Sequence, residues 1–399
     1  MYDLVVVGGG AAGFFTAICL AEKRPNSKII ILEKSSKVLA KVRVSGGGRC
    51  NVTHACFEPR EMVKHYPRGH KELLGPFTKF LCGDMMEWLS DRGVETKIEE
   101  DGRVFPSSDS SQTIISCFRE ICEKHKIEIR TQCGITSLSK NEDGWSVNGP
   151  ESFASKSVML ATGSTPSVWQ MLGDMGYEIV NPVPSLFTFN IDDELLEDLP
   201  GLSMPAAEVN IIGTKFRDSG PLLITHWGLS GPAVLKLSAW AARELAEAEY
   251  RFEIEVNWLG METSRIKEAI EEARADHGTR LVRNYPLLGT PRRLWARFSD
   301  VSGLDHVNYG SIKASQIDDL IQTLSANTLR VNGKSTFKEE FVTCGGVERK
   351  QIDFKTMQSR KHEGLFMAGE VIDIDAVTGG FNFQAAWTEA FLAAENLAK

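Results

Sequence analysis

The stretch YDLVVVGGGAAGFFTAICLAEK, residues 2–23, decides how the chain begins to fold. Leu4–Val7 make a short apolar run of the kind buried in a parallel sheet. Gly8, Gly10 and Gly13 follow it with the spacing GxGxxG. The first glycine allows a tight turn, the second admits a pyrophosphate against the backbone, and the third lets a helix lie close on the strand. Ala11, Ala12 and the residues on to Lys23 read as that helix, whose first amides face an anion in the turn.

A lone glycine motif is weak, but this one has its context. KIIILEK (28–34) supplies a second strand, and Glu33 stands twenty residues after Gly13. A carboxylate there accepts the ribose hydroxyls of an adenosine and repels a 2′-phosphate. The expected ligand is an adenine dinucleotide, either FAD or NAD; the alternative is a glycine-rich turn beside a surface glutamate. Lys34 and the loop Ala161-Thr162-Gly163 belong to the same expected rim.

Next comes VSGGGRCN (44–51), which reads as a phosphate cradle, a turn under a flat cofactor or the seat of a reactive thiol. Gly46, Gly47 and Gly48 imply close backbone approach to the cofactor, with Arg49 and Asn51 as polar contacts; the alternative for Arg49 is a loop salt bridge. Arg49 beside Cys50 can depress a thiol pKa. No CxxC partner exists, so Cys50 reads first as packing or a cofactor contact and second as a nucleophile.

The 399-residue chain as a whole sets broad limits. A hydrophobic share of 42% and a charged share of 25% suit a soluble protein of two or three domains. The net charge of -8 gives no general attraction for nucleic acid, so none is expected as a partner. No apolar run nears the ~18 residues of a membrane span, and the N-terminus reads as strand rather than signal peptide. Eight cysteines without CxxC pairs or a histidine cluster point to a reducing cytoplasm and no metal site. No motif speaks to oligomeric state.

Residues 71–92 show helical spacing ending at Gly93, with Met85 and Met86 as core filling. Ser110 and Ser111 are candidate caps of a following helix. From 127 to 160 short strands and polar turns suggest a small antiparallel insertion that returns to the main sheet. A boundary falls near Pro182–Pro184, and 186–337 mixes short strands with helices as a substrate cover. The dinucleotide domain is thus expected in two pieces, 1–185 and 338–399.

The second anchor is GLFMAGEVIDIDAVTGGFNFQAAWTEAFLAAENLA (364–398). A strand ends at Ala368 and turns at Gly369 and Glu370. Gly379, Gly380, Phe381 and Asn382 then open a long helix. Amides there can face the O2/N1 edge of a flavin and stabilise its reduced, negative form. No second strand-linked GxGxxG appears, which favours FAD in the first site; NADH or NADPH would visit only transiently.

Together with the opening motif, KVRVSGGGRCNVTH, DGRVFPSSDSS, THWGLSGPAVLKLS and the segment from CGGVERKQIDF to AAWTEA resemble the HI0933-like (BaiN-like) family of bacterial FAD-binding flavoproteins. The resemblance implies an α/β, Rossmann-like FAD domain of the glutathione-reductase type. It also implies an inserted β-rich domain containing a small helical subdomain. Family members include NAD(P)/FAD-dependent oxidoreductases without an assigned substrate, aminoacetone oxidases and reducers of conjugated double bonds in bile-acid intermediates. By resemblance, Glu370 or Asp373 contacts the ribityl or pyrophosphate region. Two departures stand out: ATGST at 161–165 where the family has ATGG, and WTEAFLAA from Trp387 where it tends to SSG and a closing glycine.

For chemistry, His226 is a candidate proton donor or substrate-orienting group, or a structural histidine. Trp227 lines an apolar substrate face or fills a domain junction, and Arg103 is a substrate-side cation or a turn residue. The expected activity is an FAD-dependent oxidoreductase passing hydride through flavin N5 from NAD(P)H to a small organic acceptor such as an activated alkene. The alternatives are an amine or aminoketone oxidase using oxygen, a flavin-containing RNA-modifying or RNA-binding protein, and a non-catalytic FAD-binding regulator.

Overall fold

A computed structural model describes residues 1–335 and 342–399. The chain divides into two compact units: one holds Met1–Val183 and the C-terminal segment, and the other starts at Pro184. The join expected at 337/338 lies outside the described residues.

In the first unit, Leu4–Val7 are buried between two parallel neighbours. On one side Val5 pairs with Ile30 and Val7 with Leu32; on the other, Val5 pairs with Val158 and Val7 with Leu160. Apolar side chains on both faces suit this central place. Leu365–Met367 extend the sheet beyond Ser152–Leu160, and Glu128–Arg130 extend it beyond Ile29–Leu32. The chain therefore leaves the first strand in one direction and returns on its other side, which opens a crevice at the carboxyl ends of the strands.

The helix Ala11–Lys23 lies against the C-terminal helix Phe381–Leu397. Phe15 centres their packing, with ring centroids 5.0 Å from Trp88 and 5.5 Å from both Phe80 and Trp387. These edge-on and tilted aromatic contacts fix the helix that presents the glycine turn.

Three local readings are refined. The helical spacing of 71–92 resolves into two helices, His70–Phe77 and Cys82–Ser90. Pro76 ends the first, and the Asp84 carboxylate accepts the Leu81 amide at 2.6 Å to start the second. Ser110 caps Ser111–Lys124 by accepting the Gln112 amide, whereas Ser111 donates to the Arg43 carbonyl. Glu128–Arg130 belong to the main parallel sheet, so the antiparallel insertion begins only at Ser137–Asn141 and Gly144–Asn148.

The second unit carries a seven-stranded sheet with antiparallel pairings, built from strands between Thr188 and Ser335. Helices Thr263–Asp276, Arg292–Val301 and Ala314–Ser325 bury Ile270, Trp295 and Leu320 in its apolar core.

Candidate functional site

The three motif glycines occupy different surroundings. A Cβ on Gly8, at φ +110°, would sit 2.2 Å from the Ala161 carbonyl oxygen, and one on Gly13 would sit 2.0 Å from that of Gly8. Both close approaches require glycine. A Cβ on Gly10 meets nothing within 4 Å, so this face of the turn is open. The first-turn amides of the helix have no intrahelical acceptor and point to that side.

Glu33 closes the rim. Its Oε2 accepts the Gly9 amide and its Oε1 the Ser35 amide, each at 2.8 Å, which sets the carboxylate at the mouth of the turn. Lys34 is exposed beside it and lies against Gly134. Opposite, Ala161 donates to the Val7 carbonyl, and the Thr162 hydroxyl is buried with no partner. A Cβ on Gly163 meets nothing within 4 Å. An open glycine face, free helix amides, an orphaned hydroxyl and a rim carboxylate fit an adenine dinucleotide.

The second loop packs against the C-terminal helix. Gly46, Gly47 and Gly48 have φ of 58°, 69° and 85°, a left-handed run that only glycine adopts at little cost. A Cβ on Gly46 would strike the Phe105 ring, whereas Gly47 faces open space. In the amide orientation that satisfies both its ends, Asn51 donates to the carbonyls of Thr53 and Val104 and accepts the Gly380 amide at 3.0 Å. Its expected role as a cofactor contact is corrected: the side chain ties two loops together. A Cβ on Gly380 would lie 2.5 Å from the Thr53 carbonyl oxygen, and a Cβ on Gly379 would strike the Phe381 ring.

Arg49 is also corrected. Its guanidinium pairs with Glu99 at 2.5 Å and Asp109 at 3.4 Å and lies 3.8 Å over Phe105. Arg103 pairs with the same Glu99 and with Asp101. Both cations are neutralised within the protein rather than offered to a ligand.

Cys50 is fully buried, at φ +65°. Burial pushes its thiol up to about 12, against a smaller opposing effect of Ser45. A nucleophile needs an accessible thiolate, so the reading of Cys50 as a reactive thiol is corrected to packing. Cys50→Ala is expected to keep FAD and turnover within about twofold, measured by flavin absorbance and steady-state rate. A loss of a hundredfold or more would restore the thiol to the chemistry.

The acidic pair after Ala368 divides. Glu370 pairs with Lys41 at 2.6 Å and is partly exposed. Asp373 is buried and held by Arg349 at 3.3 Å, so the ribityl or pyrophosphate contact expected of it is corrected to an internal ion pair. Asn382 clasps its own loop, accepting the Ala376 amide and donating to the Ala376 carbonyl. This corrects it from a cofactor contact to a support for Gly379 and Gly380.

One constellation was not read from sequence. Phe381 packs against both His54 and His65, at centroid distances of 4.6 and 4.1 Å, and the two imidazoles are themselves 5.9 Å apart. His54 Nε2 faces the Asp101 carbonyl at 3.1 Å and therefore carries the proton, while Nδ1 is buried without a partner. Burial lowers the pKa of His54, so the bare nitrogen is an acceptor awaiting an N–H or O–H. Residues 54, 65 and 381 are distant in sequence; the histidine closing KVRVSGGGRCNVTH was the available signal.

In the second unit, strand Arg217–Thr225 and strand Gly228–Ser230 form a hairpin whose tip is His226-Trp227. Both residues are exposed, Trp227 at 60%. Trp227 is thus a presented aromatic face rather than a buried filler. Among the described residues no group of acids, cysteines or histidines could hold a metal ion, and no helix is long and apolar enough to cross a membrane.

Known proteins share this plan. The ribosomal RNA dihydrouridine synthase of Escherichia coli (strain K12) is 28% identical across 99% of this chain and 98% of its own. The 3-dehydro-bile acid delta(4,6)-reductase of Clostridium scindens is 25% identical across 98% of both. In three dimensions, the 3-ketosteroid-delta4-(5alpha)-dehydrogenase of Rhodococcus jostii RHA1 has the same fold, with a TM-score of 0.55 and 13% identity over 100% of this chain and 97% of that one. A family model described as the HI0933-like protein Rossmann domain matches residues 2–396. The chain belongs to the HI0933-like family of FAD-binding oxidoreductases, with an α/β Rossmann-like fold interrupted by a β-rich subdomain.

Proposed function

We propose that this oxidoreductase reduces a conjugated carbon–carbon double bond, and that the double bond is the one in the uracil ring of ribosomal RNA. The observation that carries this reading is the near full-length similarity to a ribosomal RNA dihydrouridine synthase. A second relative of equal span is named for the same bond chemistry on a steroid-like acceptor. When bound, FAD supplies the electron pair for that reduction.

The chain's residues have separable tasks. Gly10 and the first-helix amides receive the diphosphate, Glu33 the adenosine ribose, and Thr162 donates into the same rim. The amino end of helix Phe381–Leu397 stabilises negative charge on the reduced flavin. His54 Nδ1 accepts a hydrogen bond from flavin or uracil N–H.

The overall charge of -8 conceals a local basic stretch. Between Asp276 and Asp300 there is no acidic residue, and Arg280, Arg292 and Arg293 are exposed there, whereas Arg283 is paired with Asp300. Arginines of this kind hold phosphates, and the exposed Trp227 offers a face on which a base can stack. The expectation of no nucleic-acid partner rested on the net charge and on the absence of a basic aromatic stripe; net charge does not report such a segment.

The test is mass analysis of ribosomal RNA from cells with and without the gene. One uridine is expected to lose a mass increment of about 2 Da in the deletion and regain it on complementation. Unchanged RNA would defeat the RNA reading, and the steroid-like enone would then be the acceptor to examine.

A further inference from the structure

Between residues 376 and 394 the chain carries a single charged residue, Glu389. Its side chain is completely buried. Oε2 accepts the Gly369 amide at 2.6 Å, while Oε1 has no partner. A Cβ on Gly369 would lie 3.7 Å from the Ala12 Cβ. The turn held by Glu389 therefore abuts the amino end of the first helix, where the open Gly10 face lies.

Burial pushes the Glu389 carboxyl up to about 8, against the opposing effect of the Gly369 hydrogen bond. The other titratable group facing it is the Tyr66 phenol, which burial holds protonated and which donates to the Phe381 carbonyl at 2.5 Å. Neighbouring Gln384 and Thr388 are neutral and bonded to each other. Among the described residues no cation bears on Glu389 to offset an ionised carboxylate.

We propose that Glu389 is a proton-linked positioning residue for FAD: its ionisation and the binding of the FAD diphosphate oppose one another. The proposal rests on the FAD reading of the glycine turn. Two like charges in a low-dielectric site disfavour each other, so the neutral carboxyl is the form compatible with the diphosphate. Linkage makes the effect reciprocal: FAD binding raises the proton affinity of Glu389, and alkaline pH weakens FAD binding.

The experiment measures FAD affinity of the apoprotein by flavin fluorescence between pH 6.5 and 9.5. For the wild type, Kd is expected to rise about tenfold per pH unit at its steepest above pH 8. Glu389→Gln keeps an acceptor for Gly369 but cannot ionise, and its Kd is expected to change less than about twofold beyond the flavin's own titration, which both proteins share. Calorimetry of the wild type at pH 8.5, in buffers of different ionisation enthalpy, reads the same link without a variant; uptake of up to one proton per FAD is expected. Equal pH profiles for the two proteins, or no proton uptake by the wild type, would overturn the proposal. Absence of FAD binding at every pH in both proteins would instead overturn the FAD reading on which it stands.

Discussion

Asp375→Ala is expected to destabilise the first unit by about 3–5 kcal/mol, the usual consequence of leaving one half of a buried ion pair behind. Asp375 is fully buried, and its Oδ1 accepts from Arg68 Nε at 2.6 Å while its Oδ2 accepts from Arg68 Nη2. The two-pronged geometry matters because it also sets the path of the chain. Arg68 and Asp375 are bridged through their backbones, and the Val377 amide donates to the His65 carbonyl at 3.0 Å. Residues 374–377 are thereby laced to 65–69, just before Gly379 and Gly380. At about 2–4 °C per kcal/mol for a unit of this size, the melting midpoint should fall by roughly 6–20 °C, with FAD released in the same transition. Arg68→Met combined with Asp375→Leu should be more stable than Asp375→Ala, because no unpaired charge remains. A loss below about 1 kcal/mol for Asp375→Ala would show that the pair is not what holds this loop.

The second large effect separates folding from binding within one motif. In an ordinary helix, glycine to alanine gains about 1 kcal/mol. Gly13→Ala is expected to lose stability instead, by about 1–3 kcal/mol or more, because the added methyl would sit 2.0 Å from the Gly8 carbonyl oxygen and 3.1 Å from Val6. The helix must lift from the strand, and the turn loses its shape. Gly10→Ala behaves in the opposite way. Nothing lies within 4 Å of its new methyl, and φ at Gly10 is -94°, which alanine accepts. Its melting temperature without FAD should match wild type, yet its Kd for FAD should rise at least about tenfold, because the methyl occupies the space of the diphosphate. Thermal melts of apoprotein and FAD titrations distinguish the two variants. Equal FAD affinity for Gly10→Ala and wild type would place the diphosphate elsewhere.

Glu389 makes stability itself pH-dependent. The folded carboxyl keeps its proton to about pH 8, whereas the ordinary value is 4.5. The unfolded state therefore loses the proton first, and this group's contribution to stability falls as pH rises between those values. Glu389→Gln should flatten that part of the melting-temperature profile.

Local pattern carried much of the fold. Leu4–Val7, the spaced glycines and Glu33 lie within one strand–helix–strand unit, where spacing alone fixes neighbours. Ser110 was legible for the same reason, since an N-cap acts over two residues. Arg49, Asn51 and Asn382 were misread because a polar side chain in a glycine loop looks available until its partners are known. Those partners, Glu99, Gly380 and Ala376, are supplied by the fold. The cluster of His54, Phe381 and His65 depends on three segments meeting and leaves no periodic trace. Glu389 did leave one, as the single charged residue between 376 and 394, but its bond to Gly369 spans the return of the last strand to the sheet.

The central claim is that this flavoprotein delivers electrons to a conjugated double bond. It is tested most directly by reducing the FAD-loaded protein anaerobically and following the oxidised flavin absorbance after adding acceptors. Uracil-containing ribosomal RNA transcript is expected to restore the absorbance, with one dihydrouridine formed per flavin reoxidised. If the absorbance stays bleached with RNA and with conjugated enones, and returns only with oxygen, the account is contradicted and the protein is an oxidase.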